Sequence, residues 1–556
     1  LKEDNQQISS EWIKKNILDI NDNPAIGLNT SPFFSSPNII TKEWMHNQHP
    51  ESPYYPDNYN ETFIIPEYKL REFGGQRILP EKELLSHGEK MEWLESKSPE
   101  FIIIFFDASY GLSGWPDYYS RSSKYKLIKH FPKYQNMGIS YLDIYSYDIY
   151  IYMIERALYN IAFSDEWGRQ MRFITGPRQS GKTTFAKLKL KRENLKESYY
   201  LWDLRRVRER YKDNELFFTA DNPPSVRKSW VCFDEIHKMP KWKNILKGIY
   251  DSSFENYNFI ITGSAKFDIS KRAGDSLAGR YFTFHLFPLC LNELVKAGDF
   301  PIPVSITAED FIKQRVSRSI NAQEELRLLL EYSGFPEPFT MQSKRFQTKW
   351  SQDYLDAVVK EDIGALTRII DKEYLHDLYK LLPEMTGSPI SESSLASHLE
   401  ISPPTIKNYL KRLEDFYLVF RVHPYSKNIK RSLLKTSKCY LYDWTLVKDM
   451  GKRFENYTAV ELKTRINLWN DATGSNFSLF YIRNKEKQEV DFLITQDEKP
   501  WLLVETKSSD SPIAKHCFDL QKMLGGIPLV QLCMEDNICM LQNKNSYRVS
   551  ASRFLA

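Results

Sequence analysis

Short apolar runs alternate with amphipathic stretches in the middle of the chain. Strand-like runs occur at MRFIT (171–175), ESYYLWDL (197–204), SWVCFD (229–234) and NFIITGS (258–264), with helical patterns between them. Runs this short and this apolar are typical of parallel strands buried on both faces. Their alternation with helices predicts an α/β fold built on a doubly wound parallel sheet.

The pattern changes after residue 300. Residues 301–384 follow a helical period in QEELRLLLEY, KWSQDYLDAVVKEDIGAL and KEYLHDLYKLLPEMT, which predicts a bundle of helices. Residues 389–425 predict two short helices, the second being TIKNYLKRLEDF, followed by a strand at YLVFRV. The runs KQEVDFLI (487–494) and WLLVETKS (501–508) predict two strands joined by a turn.

The first 150 residues have a less regular pattern. Residues 20–68 show no period, which predicts extended or loop structure, whereas FIIIFFDAS (101–109) predicts a buried strand. The Tyr-rich run at 141–163 becomes helical before the strand at 171. Such aromatic stripes more often form a core or a subunit interface than a surface that stacks on bases. We interpret residues 1–150 as an N-terminal extension or a small α/β domain of unclear role.

Charge and cysteine content narrow the class of protein. The 556 residues carry 76 Lys+Arg and 72 Asp+Glu, a net charge of +4, so any nucleic-acid binding requires local basic patches. One such stretch, KLKLKRENLK (187–196) with RRVRER (205–210), is better explained as a solvated helix face. Six cysteines form no C-x-x-C pair, and the sequence contains neither a long apolar run nor a basic-apolar leader. These features predict free thiols in a cytoplasmic protein with no membrane partner.

A phosphate-binding loop follows the strand at 171–175. Its spacing is Gly-x4-Gly-Lys-Thr, and glycines allow backbone N–H groups to curl around phosphates at the start of a helix. We expect Lys182 to reach the β- and γ-phosphates of ATP and Thr183 to bind Mg²⁺. A loop with coincidental glycines is the alternative. The predicted nucleotide-binding residues are Gly176, Pro177, Arg178, Gln179, Ser180, Gly181, Lys182, Thr183 and Thr184.

Two acids end the strand at 229–234. Asp234 is the predicted Mg²⁺ ligand, and Glu235 the predicted base that activates water. The alternative is a solvated acidic turn. Thr262 and Ser264 end the strand at 258–264, where open α/β sheets bind ligands, and a hydroxyl there could sense the γ-phosphate.

Together these segments carry a resemblance. GPRQSGKTT, FDEIHKMPKWKNILKGIYD, IITGSAKFDI, LAGRYFTFHLFPLCLNEL and EYSGFPEPF resemble the prokaryotic AAA-type ATPases that join a P-loop domain to a winged helix and a C-terminal domain of the PD-(D/E)XK nuclease type. The resemblance covers about residues 150–556. It implies that Arg280 reads the γ-phosphate in its own or a neighbouring subunit, although an arginine that caps a helix or pairs with a surface acid fits equally well. It also implies that the helices of 301–384 form a lid over the nucleotide, and a purely structural helical domain is just as compatible.

The two helices within 389–425 and the strand after them form a predicted winged helix-turn-helix. Polar side chains of the second helix could meet a DNA duplex, with KNIKRSLLK (427–435) as a basic wing. Winged helices also pack against protein inside ATPases, and that alternative stays open. The candidate DNA contacts on the helix are Thr405, Lys407, Asn408, Lys411 and Arg412.

A second candidate active site lies in the C-terminal region. Asp491, Glu505 and Lys507 have the spacing Asp-x13-Glu-x-Lys on two neighbouring strands, where two carboxylates could hold a divalent ion and the lysine could orient water. In the nuclease fold that the chain resembles, Glu455 lies where an accessory metal ligand is found and Gln521 where a glutamine is common. Domains of this type also serve as scaffolds that cut nothing.

The sequence therefore supports two hypotheses. The first is an ATP-hydrolysing enzyme that couples its nucleotide state to DNA binding and to metal-dependent DNA cleavage. The second is an ATP-dependent switch or scaffold that binds DNA or a protein partner, itself included, without cutting. In both, the predicted domains after the N-terminal 150 residues are a P-loop ATPase at 151–300, a lid at 301–384, a winged helix at 385–435 and a nuclease-like domain at 436–556.

Overall fold

The structure is a computed structural model. It describes residues 154–556 apart from 240, 264–276, 296–305, 319, 364–371 and 427–435, and it describes the backbone of five strands before residue 154. The chain divides into two compact units, Leu1–Met153 and Ile154–Ala556.

The five strands of the first unit form one sheet in the order β2-β1-β3-β5-β4. Strand β3 confirms the strand predicted from FIIIFFDAS, and it pairs parallel with β1 and antiparallel with β5. Of the Tyr-rich run at 141–163, Leu158, Tyr159 and Phe163 are buried in a core of the second unit, whereas the side chains of 141–153 lie outside the described residues. The strands are β1 (Ala25–Asn29), β2 (Asn38–Thr41), β3 (Phe101–Asp107), β4 (Tyr125–Tyr134) and β5 (Ile139–Tyr147).

The second unit begins with a five-stranded, wholly parallel sheet, which confirms the predicted α/β arrangement. The strand order is β10-β6-β9-β8-β7. Strand β9 therefore lies between the strand that precedes the P-loop and the strand that ends in the two acids. The strands are β6 (Met171–Thr175), β7 (Tyr199–Leu201), β8 (Ser229–Asp234), β9 (Tyr257–Gly263) and β10 (Tyr281–His285).

Among the described residues of this region, six α-helices accompany the sheet and the segment that follows β10. Apolar side chains of the sheet and the helices form buried clusters around Phe173 and Phe233 on one side and Ile174 and Phe185 on the other. The helices are α1 (Leu158–Ala162), α2 (Lys182–Arg192), α3 (Arg205–Asp213), α4 (Phe218–Asp221), α5 (Trp242–Ser253) and α6 (Leu291–Leu294).

The region predicted to be a bundle is helical. Its helices are α7 (Ala308–Val316), α8 (Gln323–Tyr332), α9 (Pro336–Met341), α10 (Lys344–Ala357) with a π-helical end at Val358–Ile363, and α11 (Lys372–Met385). Two shorter helices follow, α12 (Glu392–His398) and α13 (Pro403–Asp415), and the side chains of Ser391 and Ser402 cap their N-termini.

The C-terminal part contains an eight-stranded mixed sheet in the order β12-β11-β13-β14-β15-β16-β18-β17. The 24-residue helix α14 (Met450–Thr473) packs on it. The strands are β11 (Val419–Pro424), β12 (Lys438–Leu441), β13 (Phe477–Arg483), β14 (Glu489–Gln496), β15 (Lys499–Lys507), β16 (Leu529–Cys533), β17 (Cys539–Asn543) and β18 (Ser546–Ser550), and the last helices are α15 (Lys515–Met523) and α16 (Ala551–Phe554).

One hydrophobic core extends from Phe287 through the helical region to Ala556. The helical region, the α12–α13 pair and the C-terminal sheet share that core, so the domain boundaries proposed within 301–556 stay predictions. Within the described part of the chain, no helix is long and apolar enough to cross a bilayer. All six cysteines are free, and all but Cys539 are buried.

Candidate functional site

The P-loop connects β6 to α2 through two glycines with unusual backbone angles. Gly176 has φ +150° and Gly181 has φ +95°. A Cβ at Gly176 would overlap the carbonyl oxygen of Leu286, which follows β10. Only glycine therefore fits at Gly176, where the loop leaves the strand. The predicted loop residues differ in exposure. Gly176, Pro177 and Ser180 are buried, Arg178 is half-buried, and Gln179, Thr183 and Thr184 are exposed.

Lys182 is the first residue of α2, and its side chain folds back over the loop. Its ammonium donates to the carbonyl oxygens of Gly176 at 3.0 Å and Pro177 at 2.5 Å, and the residue is buried. These partners are neutral dipoles. An arriving phosphate would offer the lysine a charged partner in the same loop, which is the exchange that a phosphate-binding lysine needs.

The predicted Mg²⁺ ligands lie together. The Thr183 hydroxyl donates to Asp234 Oδ2 at 2.8 Å, and hydroxyls of Tyr199 and Thr262 also donate to Asp234, which is buried. Asp234 and Thr262 are register partners on β8 and β9. Burial and the Asp234 carboxylate raise the pKa of Tyr199. A carboxylate beside a threonine hydroxyl is the donor set that Mg²⁺ accepts next to a nucleotide, so the residues present fit the ion.

Glu235 follows Asp234 at the end of β8, in the left-handed region with φ +59°. Its carboxylate is 3.6 Å from His237 Nε2 and 3.6 Å from Lys238 Nζ. Burial, with the charge of Lys238, lowers the pKa of His237 to about 4. The imidazole is therefore neutral at pH 7, and the lysine is the charged neighbour of Glu235 in this turn.

Two other predicted residues have different outcomes. Ser264 lies outside the described residues. Arg280 follows that gap and pairs with Asp251 on α5, with Nε 2.7 Å from Oδ1 and the second nitrogen 3.0 Å from Oδ2. Within this chain the guanidinium thus contacts a surface carboxylate, and its role towards a γ-phosphate stays a prediction.

Sequence reasoning missed two side chains that contact the P-loop. Arg156 donates to the Ser180 carbonyl at 2.9 Å, donates to the Phe287 carbonyl at 2.5 Å and pairs with Glu293 at 3.0 Å. Thr175, directly before Gly176, shares a buried hydrogen bond of 3.0 Å with the hydroxyl of Tyr417. Only a buried tyrosine two residues after α13 could have hinted at the second contact, because its partner is 242 residues away.

The C-terminal acids converge as predicted from the two strands. The backbone N–H of Asp491 on β14 donates to Glu505 Oε2 at 3.2 Å, and Lys507 Nζ donates to Glu505 Oε1 at 2.7 Å. Thr506 donates to Asp491 Oδ2 through its N–H at 2.9 Å and its hydroxyl at 2.6 Å. The predicted catalytic groups are therefore neighbours, and several of their oxygens already accept hydrogen bonds from the chain.

A lysine that the sequence analysis did not consider lies among these acids. Lys438 Nζ on β12 is 3.1 Å from Glu455 Oε1, 3.1 Å from Glu489 Oε1 and 3.6 Å from Asp491 Oδ1. Tyr440 also donates to Glu455 Oε1, at 2.7 Å. A lysine that opens the apolar strand KCYL was the available signal. Glu455, which the resemblance also marked as a candidate metal ligand, thus lies in the same cluster as Asp491, with a buried ammonium between the two carboxylates.

Burial and the nearby Asp491 carboxylate raise the pKa of both Glu455 and Glu505 to about 7. In the described part of the chain, no set of three His, Cys, Asp or Glu side chains is arranged to hold a metal ion. The metal-ligand roles of Glu455, Asp491 and Glu505 therefore stay predictions. Gln521 on α15 points elsewhere, since its amide donates to the Ile527 carbonyl at 2.8 Å and accepts from Ser546.

The second helix of the α12–α13 pair presents part of its predicted polar face to solvent. Lys407, Asn408 and Lys411 are exposed, and Arg412 is half-buried and 3.6 Å from Asp415. The basic stretch at 427–435 lies outside the described residues. The exposed side chains are free to meet another molecule, and the geometry alone does not select DNA over protein.

Comparison with known protein families supports the assignment of the P-loop region to a nucleotide-binding domain. Residues 168–295 match the AAA domain family, a range that contains the P-loop, Asp234, Glu235 and Arg280. The AAA-like domain indicates a nucleotide-binding ATPase. Residues 323–456 and 450–551 match two families described as domains of unknown function, DUF8612 and DUF4143. Lys438 lies in the first of these ranges and Asp491 in the second, so the acid cluster spans both.

This chain is similar to other proteins over only part of their length. An uncharacterized protein of Methanocaldococcus jannaschii is 29% identical over 288 residues, which cover 49% of this chain and 60% of that protein. An uncharacterized protein of Mycobacterium tuberculosis is 23% identical over 348 residues, 59% of this chain and 68% of the relative. The solved structure of C. elegans PCH-2 aligns with 57% of this chain and 99% of its own at 11% identity, with a TM-score of 0.19.

Proposed function

We propose that this chain binds ATP with Mg²⁺, hydrolyses it and uses the nucleotide state to control its binding to DNA. The observation that supports this coupling most directly is the buried hydrogen bond between Thr175 and Tyr417. Thr175 is the last residue before the P-loop, and Tyr417 follows the helix whose exposed lysines would meet DNA. A change at the phosphates therefore has a short path to that helix.

The hydrolytic roles follow from the geometry of the P-loop site. On nucleotide binding, Lys182 would exchange its two carbonyl partners for the β- and γ-phosphates, and Thr183 and Asp234 would hold Mg²⁺. The ion supplies charge neutralisation at the phosphates. Glu235, at the next position, accepts the proton of the attacking water.

Other contacts support communication from the ATPase sheet to the C-terminal part. The backbone N–H of His285 on β10 donates to Asp471 on α14 at 2.7 Å, and the N–H of Leu291 donates to Glu461 on the same helix at 2.6 Å. Helix α14 also carries Glu455 near its other end. Because α14 is one continuous helix of 24 residues, a shift of the sheet edge would be transmitted along it towards the acid cluster.

We interpret α12, α13, β11 and β12 as a winged helix. Strands β11 and β12 pair antiparallel, and the connection between them contains the basic stretch 427–435. In this interpretation α13 enters a major groove, and its lysines bind phosphates.

Duplex binding measured by fluorescence anisotropy over a range of salt concentrations tests this interpretation. Changing Lys407, Lys411 and Arg412 together to alanine should weaken binding to any duplex and reduce the log–log salt slope by up to about three. The matched control removes the same charge from α3, as Arg205, Arg206 and Lys212 to alanine. Equal affinity and slope in the α13 variant and the parent would mean that this helix packs against protein instead.

Metal-dependent DNA cleavage is a second candidate function. It is favoured by the convergence of Asp491, Glu505 and Lys507 and by the order helix, three strands, helix, strand from α14 to β16, which is that of the PD-(D/E)XK nuclease fold. Incubation of plasmid and linear DNA with Mg²⁺ or Mn²⁺ tests it directly. Cleavage by the intact protein that disappears in Asp491→Ala would establish a nuclease. If neither protein cleaves DNA, the chain acts as an ATP-dependent switch or scaffold that does not cut.

A further inference from the structure

Lys438 occupies the middle of the C-terminal acid cluster. Its ammonium is within 3.6 Å of Glu455, Glu489 and Asp491, which come from α14 and β14. Its side chain is only 1% exposed. A lysine is almost never buried to this extent unless it is paired, so these carboxylates account for its position.

The acids have little remaining capacity for a metal ion. Glu455 Oε1 accepts from both Lys438 and Tyr440, and Asp491 Oδ2 accepts twice from Thr506. Glu505 uses one oxygen for Lys507 and the other for the backbone of Asp491. A divalent ion about 2 Å from Glu455 Oε1 or Asp491 Oδ1 would lie close to the Lys438 ammonium, which is 3.1 Å and 3.6 Å from these oxygens, and the two positive charges would repel each other.

Backbone packing also restricts the space on the far side of Glu455. Gly387, with φ +78°, lies so close that a Cβ there would be 2.6 Å from Glu455 Oε2. That oxygen therefore faces the chain, whereas Oε1 faces Lys438. The residues present do not fit the divalent ion that the nuclease resemblance implies.

We propose that Lys438 takes the place of the metal ion, so that the acid cluster is a metal-free ionic site held together by a cation of the chain itself. The site then joins β12, α14 and β14 through charge without a bound divalent ion. This inference is independent of ATP hydrolysis and DNA binding, and it argues against metal-dependent cleavage.

Mn²⁺ binding to the full chain without nucleotide tests the proposal, with electron paramagnetic resonance to count bound ions. The parent and Asp491→Asn should bind the same number of Mn²⁺ ions with the same affinity, because the parent has no ion at Asp491. This comparison cancels any weak binding at the P-loop, which both proteins share. A site that the parent has and Asp491→Asn lacks would overturn the proposal.

Removal of the lysine supplies the second arm. Lys438→Ala should melt at a lower temperature in EDTA, recover with Mn²⁺ and bind the ion at least about tenfold more tightly than the parent, since three carboxylates lose their counterion. The double variant Lys438→Ala with Asp491→Asn should lose the recovery. The matched control is Lys507→Ala, whose side chain is 38% exposed and contacts Glu505, and which leaves Lys438 in place.

Two results of the second arm would also overturn the proposal. The first is a folded Lys438→Ala protein that gains no Mn²⁺ site. The second is an equal gain in Lys507→Ala, which would show that any loss of positive charge attracts the ion. If Lys438→Ala fails to fold, the comparison of the parent with Asp491→Asn decides the question alone.

Discussion

The two candidate sites of this chain each contain a buried lysine, yet the recorded partners of the two lysines differ in charge. Lys182 donates to the carbonyl oxygens of Gly176 and Pro177, whereas Lys438 lies among the carboxylates of Glu455, Glu489 and Asp491. A lysine that donates to neutral carbonyl groups is stabilised when a phosphate binds, because it then gains a charged hydrogen-bond partner. A lysine among carboxylates already has its counterions, so it stabilises the fold and leaves no place for a ligand.

The acids differ in the same way. Asp234 accepts hydrogen bonds from the hydroxyls of Thr183 and Thr262, which can rotate to share the carboxylate with an ion. Asp491 accepts from Thr506 and faces a fixed ammonium. Acids and a lysine at a suitable spacing therefore predict that these side chains lie together. Whether they can bind a ligand depends on the hydrogen bonds and ion pairs that each of them already makes.

The largest expected effect concerns catalysis at the first site. Glu235→Gln should hydrolyse ATP about 10²- to 10⁴-fold more slowly than the parent while binding it normally, because the phosphate cradle is intact. Lys182→Ala should instead lose tight ATP binding. Single-turnover kinetics and equilibrium binding of a labelled nucleotide separate the two defects, and Lys191→Ala, an exposed lysine on the same helix, is the control. Turnover at the parental rate in Glu235→Gln would show that another group activates the water.

The next effect tests the contrast between the two lysines through stability. Lys438→Ala should lower the free energy of unfolding by about 3–5 kcal/mol, since it leaves buried carboxylates without their cation. Lys182→Ala should have a smaller effect, because the two carbonyl oxygens that accept from its ammonium are uncharged. Urea unfolding of the nucleotide-free proteins measures both. Equal losses in the two variants would remove the distinction on which the comparison rests.

The third effect concerns the connection between the sites. Thr175→Val and Tyr417→Phe each remove one end of the buried hydrogen bond, so each should cost about 1 kcal/mol of stability and abolish any dependence of DNA affinity on nucleotide. The double variant should cost no more than the larger single one, because the same interaction is removed. Additive losses, with the nucleotide dependence kept, would show that the coupling uses other contacts.

Sequence patterns predicted those parts of the molecule that local residues determine. The parallel strands, the P-loop and the neighbouring strands of Asp491 and Glu505 all follow from periodicity and spacing within short segments. The contacts that distinguish the two sites could not be predicted in this way. Lys438 meets Asp491 only because β12 and β14 belong to the same sheet, and Thr175 meets Tyr417 across 242 residues.

The smallest expected effect concerns Arg280, whose partner in this chain is Asp251 rather than a phosphate. The side-chain hydrogen bonds to Asp251 raise the pKa of the already basic Arg280 guanidinium, so the arginine is charged whether or not a phosphate is nearby. An ion pair at the surface contributes little, and solvent screens it. Arg280→Ala and its matched control Asp251→Ala should therefore both keep the parental ATPase rate.

A mixing experiment makes the Arg280 prediction decisive. If Arg280 reaches the γ-phosphate of a neighbouring subunit, Arg280→Ala alone should lose activity, and adding Lys182→Ala protein should restore part of it, since that subunit still supplies the arginine. Asp251→Ala would then stay active, because only the arginine has the role. Loss and recovery of this kind would show that Arg280, like Lys182, is a cation that contacts a nucleotide phosphate. Unchanged turnover in both single variants would instead place it with Lys438, as a cation whose partner is a carboxylate of its own chain.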